Sequence, residues 1–528
     1  MYIRTKEFKN KDGSVRTYLQ IVENVRINGK PTQKVIANLG RIEELKEKEV
    51  IDRLITSLAK YSEHQWVQAE AEELKAEWGK EWGPALIFRA LWEELGLKHI
   101  LGTLLSRTEI ENDLEEATFA MVLNRLSDPS SKLGVERWMK QVYRPEFAQV
   151  KLRHLYQALD FVAEHKEEIE KALFARVRDF FNLELDLVLW DTTSTYFEGI
   201  PSRELARYGF SKDHRPDRVQ IVIGILMTKE GIPVAHQVFP ENTTDVDTFK
   251  HALFQVKDRF RLGKVILVGD RGMVSEKLLN EIEKAGLEYI VGVKMRKMRA
   301  VSQVLSRPGR YSMVKENLKV KEVRHEGKRY MVCLNREEAE RDRQVRDQVV
   351  EQLSQRIAEG GLKTLIGNNA YRRFLRVEGT KAEIDQKAVK EEELYDGKYV
   401  LMTNNRELSS AESALYYKEL SRVERAFREM KSGLDLRPIY HWTDKRIRGH
   451  VMVCFLAFLL ESSLRSKLEQ QGVKVRYQEL MEDLKRLLAV EVRHDGKKYI
   501  TRTRLEGSAY EAFKALGLRP PNHVQVVT

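Results

Sequence analysis

The sequence of 528 residues predicts a multidomain α/β protein. Residues 50–180 repeat apolar side chains every three or four positions, which is typical of packed helices. Residues 185–294 instead alternate short apolar runs with helical stretches, which indicates a mixed sheet. Residues 296–397 interrupt this pattern with a segment rich in Arg, Lys and Glu, so we expect an inserted domain there.

Charge, cysteine content and hydropathy exclude several classes of protein. The net charge of +11 suits a polyanionic partner such as nucleic acid. Cys333 and Cys454 lie far apart in the sequence and have no partners at metal-ligand spacing, which argues against a zinc finger, an iron–sulfur cluster or a disulfide framework. The opening residues contain no apolar segment of a signal peptide, and the apolar run at 451–460 has about half the length of a membrane span. We therefore expect a cytoplasmic protein with a buried helix at 451–460.

Two predicted domains precede the mixed sheet. Two alternating runs flank Asn28-Gly29, a strong hairpin-turn pair, so residues 1–48 are predicted to form a small β unit. Residues 49–182 contain amphipathic stretches such as "PALIFRALWEELGL" and "LRHLYQALDFVAEHKEEIEKALFARVRDFF". Short breaks such as "SDPSS" separate the helices of this predicted helical domain.

The predicted sheet is built from five strand-like runs: "LDLVLWD" (185–191), "VQIVIGILM" (219–227), "IPVAHQVF" (232–239), "KVILVGD" (264–270) and "EYIVGVK" (288–294). After the loop 192–218, the links among the first three are too short for crossovers, so these strands can pair as a meander. Helical stretches precede the fourth and fifth strands, which therefore need parallel crossovers. This order places the first and fourth strands side by side, as in a ribonuclease-H-like fold, although other mixed sheets share parts of the same order.

We therefore predict a ribonuclease-H-like core in two parts, residues 183–295 and 398–465, interrupted by a β-rich domain at 296–397. A polar helix is expected near 337–359, within the inserted domain. A long helix follows from about 409 to 433, and residues 466–528 are predicted to form a C-terminal helical region.

Two aspartates stand at the carboxyl ends of predicted strands. Asp191 ends the first strand and Asp270 ends the fourth. Residues at these ends line the functional crevice of an α/β sheet, and two acids on neighbouring strands can share a divalent metal. Mg²⁺ usually takes only one or two carboxylates and leaves its other positions to water and phosphate. For either aspartate alone, a turn or a strand cap is the alternative interpretation.

A third acid is expected on the helix at 409–433. At about 100° per residue, one apolar stripe of this helix should face the sheet; it comprises Tyr416, Leu420, Val423, Phe427 and Met430. Glu424 lies at the edge of that stripe, on the flank shared with Tyr417 and Lys431. Glu429 points nearly opposite the stripe, and Glu419 lies on the other flank. The alternative role for Glu424 is a solvated ion pair with Arg428.

Together, Asp191, Asp270 and Glu424 would make a three-carboxylate cup. Two metal ions held by such a cup can activate an attacking oxygen and stabilise the leaving one in a phosphoryl displacement. Arg271 and Lys431 would then neutralise phosphate.

Several motifs resemble the DDE transposases of bacterial insertion sequences, in the branch whose β-rich insertion precedes the catalytic Glu. The spacing Tyr417-x6-Glu424-x6-Lys431 matches the Tyr–Arg–Glu–Lys signature of that group. The segments "LWDTTSTYFEG", "GFSKDHRPDRVQIVIGIL", "IPVAHQVFPENTTDVDTF", "GDRGMVS" and "RLSDPSSKLGVERW" are also similar to it. One departure is that Leu420 stands where the signature has Arg. Either Arg428 or Arg422 would take over that role, or the role is dispensable in this chain.

The resemblance implies Mg²⁺- or Mn²⁺-dependent cleavage at terminal inverted repeats, followed by joining of the 3′-hydroxyl to target DNA. Asp191, Asp270 and Glu424 would be the catalytic metal ligands, and Tyr417 and Lys431 would contact DNA. The helical domain would bind the repeat ends of double-stranded DNA. A homodimer on DNA is expected because two ends must be handled together, in the bacterial cytoplasm and associated with the nucleoid.

A basic loop at 201–218 follows Asp191 closely. Its Lys212, His214 and Arg215 can hold phosphates, although a long charged loop is often only solvated. Two other functions stay open from the sequence: a metal-dependent nuclease that does not join strands, and a transposase-derived DNA-binding protein that has lost catalysis.

Overall fold

The computed structural model describes residues 1–27, 30–47, 50–59, 61, 75–181, 187–198, 204–208, 215–254, 265–271, 275–296, 298–359, 368–378, 381–494 and 497–527. By contact density, the chain divides into two compact units. The first comprises Met1–Gly79, Ala489–Thr503 and Pro521–Thr528, and the second comprises Lys80–Leu488 and Arg504–Pro520.

The strands within the described residues are, in chain order, β1 (Tyr2–Lys9), β2 (Val15–Ile27), β3 (Lys30–Arg41), β4 (Lys75–Glu81), β5 (Leu187–Tyr196), β6 (Gln220–Thr228), β7 (Pro233–Pro240), β8 (Ile266–Gly269), β9 (Glu288–Gly292), β10 (Ser312–Lys315), β11 (Leu318–His325), β12 (Lys328–Asn335), β13 (Leu375–Glu378), β14 (Lys381–Ile384), β15 (Lys398–Thr403), β16 (Leu488–His494), β17 (Lys497–Arg502) and β18 (Val524–Val527).

The helices are α1 (Ile42–Glu47), α2 (Val50–Ala59), α3 (Gly83–Glu94), α4 (Leu97–Leu105), α5 (Leu114–Ser127), α6 (Lys132–Trp138), α7 (Leu152–Glu164), α8 (Lys166–Phe181), α9 (Asp245–Phe254), α10 (Glu276–Lys284), α11 (Arg299–Ser306), α12 (Arg336–Glu359), α13 (Asn369–Arg372), α14 (Gln386–Glu393), α15 (Ser410–Lys418), α16 (Leu420–Arg428), α17 (Asp444–Gln470), α18 (Tyr477–Lys485) and α19 (Ala509–Ala515).

The first unit contains two sheets. β1, β2 and β3 form a three-stranded sheet in that order, and β2 pairs with β3 in the hairpin that the sequence predicted. The second sheet has the order β18-β17-β16-β4. The predicted C-terminal helical region at 466–528 is therefore wrong for β16, β17 and β18, which lie within 488–527 beside the helix α19. Two alternating runs around Asp495-Gly496 are the sequence signal of this pairing.

The second unit is organised around a mixed nine-stranded sheet with the order β10-β11-β12-β15-β9-β8-β5-β6-β7. β5, β6 and β7 form the predicted antiparallel meander. β8 pairs parallel to β5, and β9 pairs parallel to β8. The first and fourth strands of the predicted core are therefore neighbours, because α9 and α10 supply the crossovers that parallel pairing requires.

The segment 296–397 differs from the separate β-rich domain that the sequence suggested. β10, β11 and β12 extend the main sheet, since β12 pairs with β15 and β15 pairs with β9. The rest of the segment is mainly helical and packs around a small core of its own, comprising Leu353, Tyr371 and Phe374. A domain boundary at residue 296 would therefore assign strands of the same sheet, β9 on one side and β10, β11 and β12 on the other, to different domains.

The predicted long helix at 409–433 is interrupted at Glu419. α15 begins with a reciprocal cap between Ser409 and Glu412. At Glu419 the backbone tightens into 3₁₀-type bonds, from its own N–H to the Tyr416 carbonyl and from the Arg422 N–H to its carbonyl. α16 follows and ends in a π-helical turn, Glu429–Gly433. A uniform rotation of 100° per residue therefore does not hold across the whole segment.

α17 is the central helix of the apolar core. It packs against α3, α5, α7 and β7, so the predicted buried helix at 451–460 is confirmed. α17 is long and apolar enough to cross a membrane, but 94% of its most apolar window is buried inside the protein. Its composition is therefore explained by core packing.

Candidate active site

Asp191 and Asp270 come from neighbouring parallel strands. Leu189 of β5 lies opposite Val268 of β8, and each aspartate follows two residues later. Because paired strands are separated by about 4.8 Å, continuing this register brings the two aspartates to the same edge of the sheet.

Both of these aspartates point to the face of the sheet on which α15 and α16 lie. On the opposite face, Thr192 Oγ1 donates to Asp245 Oδ1 of α9 at 3.3 Å. A Cβ added at Gly269 would meet the Phe249 ring of α9 at 2.6 Å. Successive side chains of a strand alternate between faces, so the neighbours of Thr192 and Gly269 must point away from α9.

Tyr417 of α15 binds one of the two carboxylates directly. Its hydroxyl donates a hydrogen bond of 2.9 Å to Asp270 Oδ1. Burial, together with the charge and the hydrogen bond of Asp270, raises the pKa of the Tyr417 phenol above its usual value. The phenol therefore keeps its proton at neutral pH and remains a donor.

Glu424 differs from the two other acids around it. It is exposed on α16, the helix that packs against β5, and it forms no ion pair with any described residue. Glu419 pairs with Arg422, and Glu429 lies 3.4 Å from Arg465. Of these three acids, Glu424 has a carboxylate that is not already neutralised within the described part of the chain.

The three predicted ligands are not preassembled. Among the described residues, no three His, Cys, Asp or Glu side chains are grouped closely enough to hold a metal ion. Asp191, Asp270 and Glu424 therefore do not form the cup that the sequence predicted.

The family model of the transposase DDE domain matches residues 185–460, more than half of the chain. The chain belongs to the DDE transposases. A second model, of the N-terminal domain of IS1634 family transposases, matches residues 3–72. The two matches together identify a transposase of a bacterial insertion sequence, a protein of DNA transposition.

A solved structure, the Mos1 transposase paired-end complex with left transposon end, is similar to this transposase at 11% sequence identity. The match covers 46% of this chain and 66% of that chain, slightly less than two thirds. Its TM-score of 0.15 is too low to establish a shared fold. No curated protein matches the transposase.

The basic residues predicted beside the carboxylates occupy different environments in the transposase. Arg271 directly follows Asp270 and is exposed, whereas Lys431 is buried in the π-helical turn. Arg428 is exposed at the end of α16, and the alternative ion pair between Arg428 and Glu424 is not formed. Leu420 is buried, which confirms its predicted place in the apolar stripe.

The basic loop after β5 is described only in part. Lys212 and His214 lie outside the described residues. Arg215 makes two hydrogen bonds of 2.9 Å to Asp217, and its guanidinium lies over the Tyr196 ring at 5.2 Å. Its positive charge is therefore already paired with a carboxylate.

Gly292 of β9 is a site residue that sequence reasoning missed. A Cβ at this position would clash with the Tyr417 hydroxyl and would lie 3.1 Å from Arg271 Cβ. A glycine inside a strand pattern, as in "EYIVGVK", marks a close approach of another group. That signal was available, but it does not say which group approaches.

A cavity of about 530 Å³ opens beside Arg271 of the transposase. Leu279, Val293 and Met402 contribute apolar wall. Lys294 and Lys328 add basic groups, and Glu276 and Glu326 add acidic ones. The volume lies in the range of ligand-binding sites. Arg271 therefore borders an open space whose charged lining is mixed in sign.

Proposed function

We propose that this transposase cleaves the ends of an insertion sequence and joins the freed 3′-hydroxyl to target DNA. Asp191, Asp270 and Glu424 would be the metal ligands of a ribonuclease-H-like active site. The observation that supports this most is the adjacency of Asp191 and Asp270 on parallel strands, with both carboxylates on one face. Membership of the DDE family supports the same reaction class.

The donor set fits a hard divalent cation. Two aspartates supply carboxylate oxygens, which Mg²⁺ and Mn²⁺ prefer, and Mg²⁺ commonly uses one or two carboxylates with water and phosphate. Bound cations would supply charge neutralisation at the scissile phosphate and activation of the attacking oxygen. Cys333 and Cys454 are both buried, and neither belongs to the proposed donor set, which consists of carboxylates.

The side chains around the aspartates would bind and orient the DNA. Arg271 is exposed beside Asp270 and would neutralise a phosphate there. Arg428 is exposed one helical turn after Glu424 and is the better substitute for the signature Arg, because Arg422 is held by Glu419 and by the Glu230 carbonyl. Lys431 is buried in the π-helical turn that follows α16, and its ammonium would neutralise phosphate from that position.

Glu424 would join the two aspartates when DNA and metal are bound. Its helix packs against β5, and the break at Glu419 separates it from α15. On this proposal, α16 would shift relative to the residues that α15 holds. Bound cations would remove the repulsion among the three carboxylates that otherwise opposes their assembly.

The substrate would be double-stranded DNA with terminal inverted repeats. The helical region at 49–182 would bind these repeats, and a homodimer on DNA would bring two ends together. The net charge of +11 supports a polyanionic partner. The protein would then act in the bacterial cytoplasm, bound to the nucleoid.

A strand-transfer assay tests the proposal and its two alternatives. A pre-cut DNA end from the region that flanks the gene is incubated with a target plasmid and Mg²⁺ or Mn²⁺. We expect linked products with the wild type and none with Asp191→Ala, Asp270→Ala or Glu424→Ala, while DNA binding in EDTA persists. Cleavage without joining would indicate a nuclease. Binding without cleavage in either metal would indicate a transposase-derived DNA-binding protein.

A further inference from the structure

We propose that Tyr417 is a positioning residue that acts through Asp270 by fixing the orientation of its carboxylate toward the metal. This inference rests on the proposed function, in which Asp270 is a metal ligand. The resemblance to the family assigns Tyr417 to DNA, whereas the hydrogen bond of 2.9 Å to Asp270 Oδ1 uses its hydroxyl inside the protein.

Asp270 needs such support because of where it stands. It is exposed and follows the last residue of β8, so backbone pairing does not restrain its side chain. A hydrogen bond from a phenol to a carboxylate is charge-assisted and restricts the rotation of the carboxylate. Oδ1 is engaged by Tyr417, which leaves Oδ2 and the remaining lone pair of Oδ1 available for a cation.

Tyr417 is itself held by the sheet. α15 packs against β8, β9, β11 and β12, and the Tyr417 ring stacks on Tyr399 with centroids 5.9 Å apart. Tyr399 lies on β15, opposite Cys333 of β12. The strands that extend the sheet beyond the core therefore fix the ring whose hydroxyl reaches Asp270.

Gly292 provides the space for this contact. A Cβ at position 292 would clash with the Tyr417 hydroxyl and would press on Arg271, 3.1 Å from both its Cβ and its backbone nitrogen. Gly292 pairs with Leu401 in the sheet, so it cannot move away easily. The hydrogen bond between Tyr417 and Asp270 consequently depends on the absence of a side chain at 292.

Groups that orient metal ligands from outside typically contribute 10–100-fold to metal affinity or activity. Tyr417→Phe keeps the ring and its stacking but removes the hydroxyl. We expect Mn²⁺ binding to the protein, measured by electron paramagnetic resonance of the free ion, to weaken by roughly 10-fold or more. DNA affinity in EDTA and the thermal unfolding midpoint should stay at wild-type values.

Tyr416→Phe is the matched control. It makes the same chemical change one residue earlier in α15, and the Tyr416 hydroxyl has no hydrogen bond to any described residue. This variant should leave Mn²⁺ binding, DNA binding and cleavage unchanged. An equal loss in both variants would indicate a general effect on α15 and would overturn the proposal.

Gly292→Ala provides a second route to the same loss. It should weaken Mn²⁺ binding about as much as Tyr417→Phe, because it displaces the hydroxyl. The double variant should be no worse than Gly292→Ala alone, since the two changes remove one shared contact and coupled residues are not additive. Additive losses in the double variant would contradict a shared contact.

Two results would overturn the role of Tyr417 directly. The first is a Tyr417→Phe protein that binds Mn²⁺ normally. The second is one that loses DNA affinity in EDTA, which would assign the hydroxyl to a phosphate. Failure of the proposed function would look different, because the wild type itself would then neither cleave nor join DNA. The comparison of Mn²⁺ binding between the wild type and Tyr417→Phe would still test whether Tyr417 acts through Asp270.

Discussion

Leu189 and Val268 face each other across the parallel pair of β5 and β8. This pair determines the relative position of Asp191 and Asp270, which follow two residues later on each strand. Both strands are buried over their paired length, so a slip of register would bury the carboxylates or expose the core. The apolar residues of the two strands thereby hold two like charges side by side.

The first prediction concerns the choice among the acids of the late helix. Glu424→Gln should lower cleavage by more than about 100-fold, beyond the usual effect of residues that only orient a metal ligand. Glu429→Gln should keep activity close to wild type, because Glu429 is paired with Arg465. The two variants are compared in the same cleavage assay with saturating Mg²⁺. An active Glu424→Gln protein with an inactive Glu429→Gln protein would assign the third ligand to Glu429.

The second prediction concerns the glycine before Asp270. In Gly269→Ala the new methyl would meet the Phe249 ring at 2.6 Å, and overpacking of a buried site costs about 1–3 kcal/mol. Both the thermal unfolding midpoint and cleavage should fall, and Phe249→Leu in the same chain should restore part of each. Gly102→Ala is the control, because a Cβ there meets nothing within 4 Å. Failure of Phe249→Leu to restore either property would mean that the ring is not the obstacle.

The third prediction is a pH dependence of stability that arises at Glu461 of α17. Burial raises the pKa of Glu461 to about 7 from its usual value of 4.5, although Arg465 lies 2.6 Å away. The folded protein therefore holds a proton between pH 4.5 and 7 that the unfolded chain has released. Stability should fall as the pH rises through this window and should level off above it.

Thermal unfolding followed at pH 5, 6, 7 and 8 tests the role of Glu461. The unfolding midpoint of the wild type should fall by a few degrees from pH 5 to 7. A change of about 1 kcal/mol in the free energy of unfolding shifts the midpoint of a globular protein by a few degrees. Glu461→Gln stays neutral throughout and should flatten this part of the profile. Glu429 and Tyr477 also face this site. If the midpoint of Glu461→Gln still falls with pH as in the wild type, the titrating group would be one of these neighbours and not Glu461.

The strand order and the positions of the two aspartates could be predicted from the sequence for a physical reason. Buried parallel strands are continuous apolar runs, and polar residues at their carboxyl ends are conspicuous. The contact between Tyr417 and Asp270 could not be predicted in the same way. It depends on how α15 packs over β9 and on the missing side chain at Gly292, and neither leaves a periodic pattern.

The errors at the sheet edge and in the late helix have related causes. β12 joins the main sheet by pairing with β15, as in Cys333 opposite Tyr399, and such distant pairing is invisible to local patterns. The helix at 409–433 has helical composition throughout, yet it tightens at Glu419. The assignment of Glu424 to the edge of the apolar stripe also used Tyr416 and Tyr417, which lie before this interruption, and Lys431, which lies in the π-helical turn. Within α16 itself the assignment rests on Leu420, Val423 and Phe427.

The fourth prediction concerns which arginine contacts DNA. Each phosphate contact contributes about 0.9 to the slope of log affinity against log salt. Arg428→Ala should reduce this slope by about one, because Arg428 is exposed and forms no ion pair with any described residue. Arg215→Ala should leave it unchanged, because both guanidinium bonds of Arg215 already go to Asp217. Fluorescence anisotropy of a labelled repeat end in EDTA, from 50 to 300 mM KCl in steps of about 50 mM, measures both slopes. A reduced slope for Arg215→Ala with an unchanged one for Arg428→Ala would move the DNA path from α16 to the basic loop.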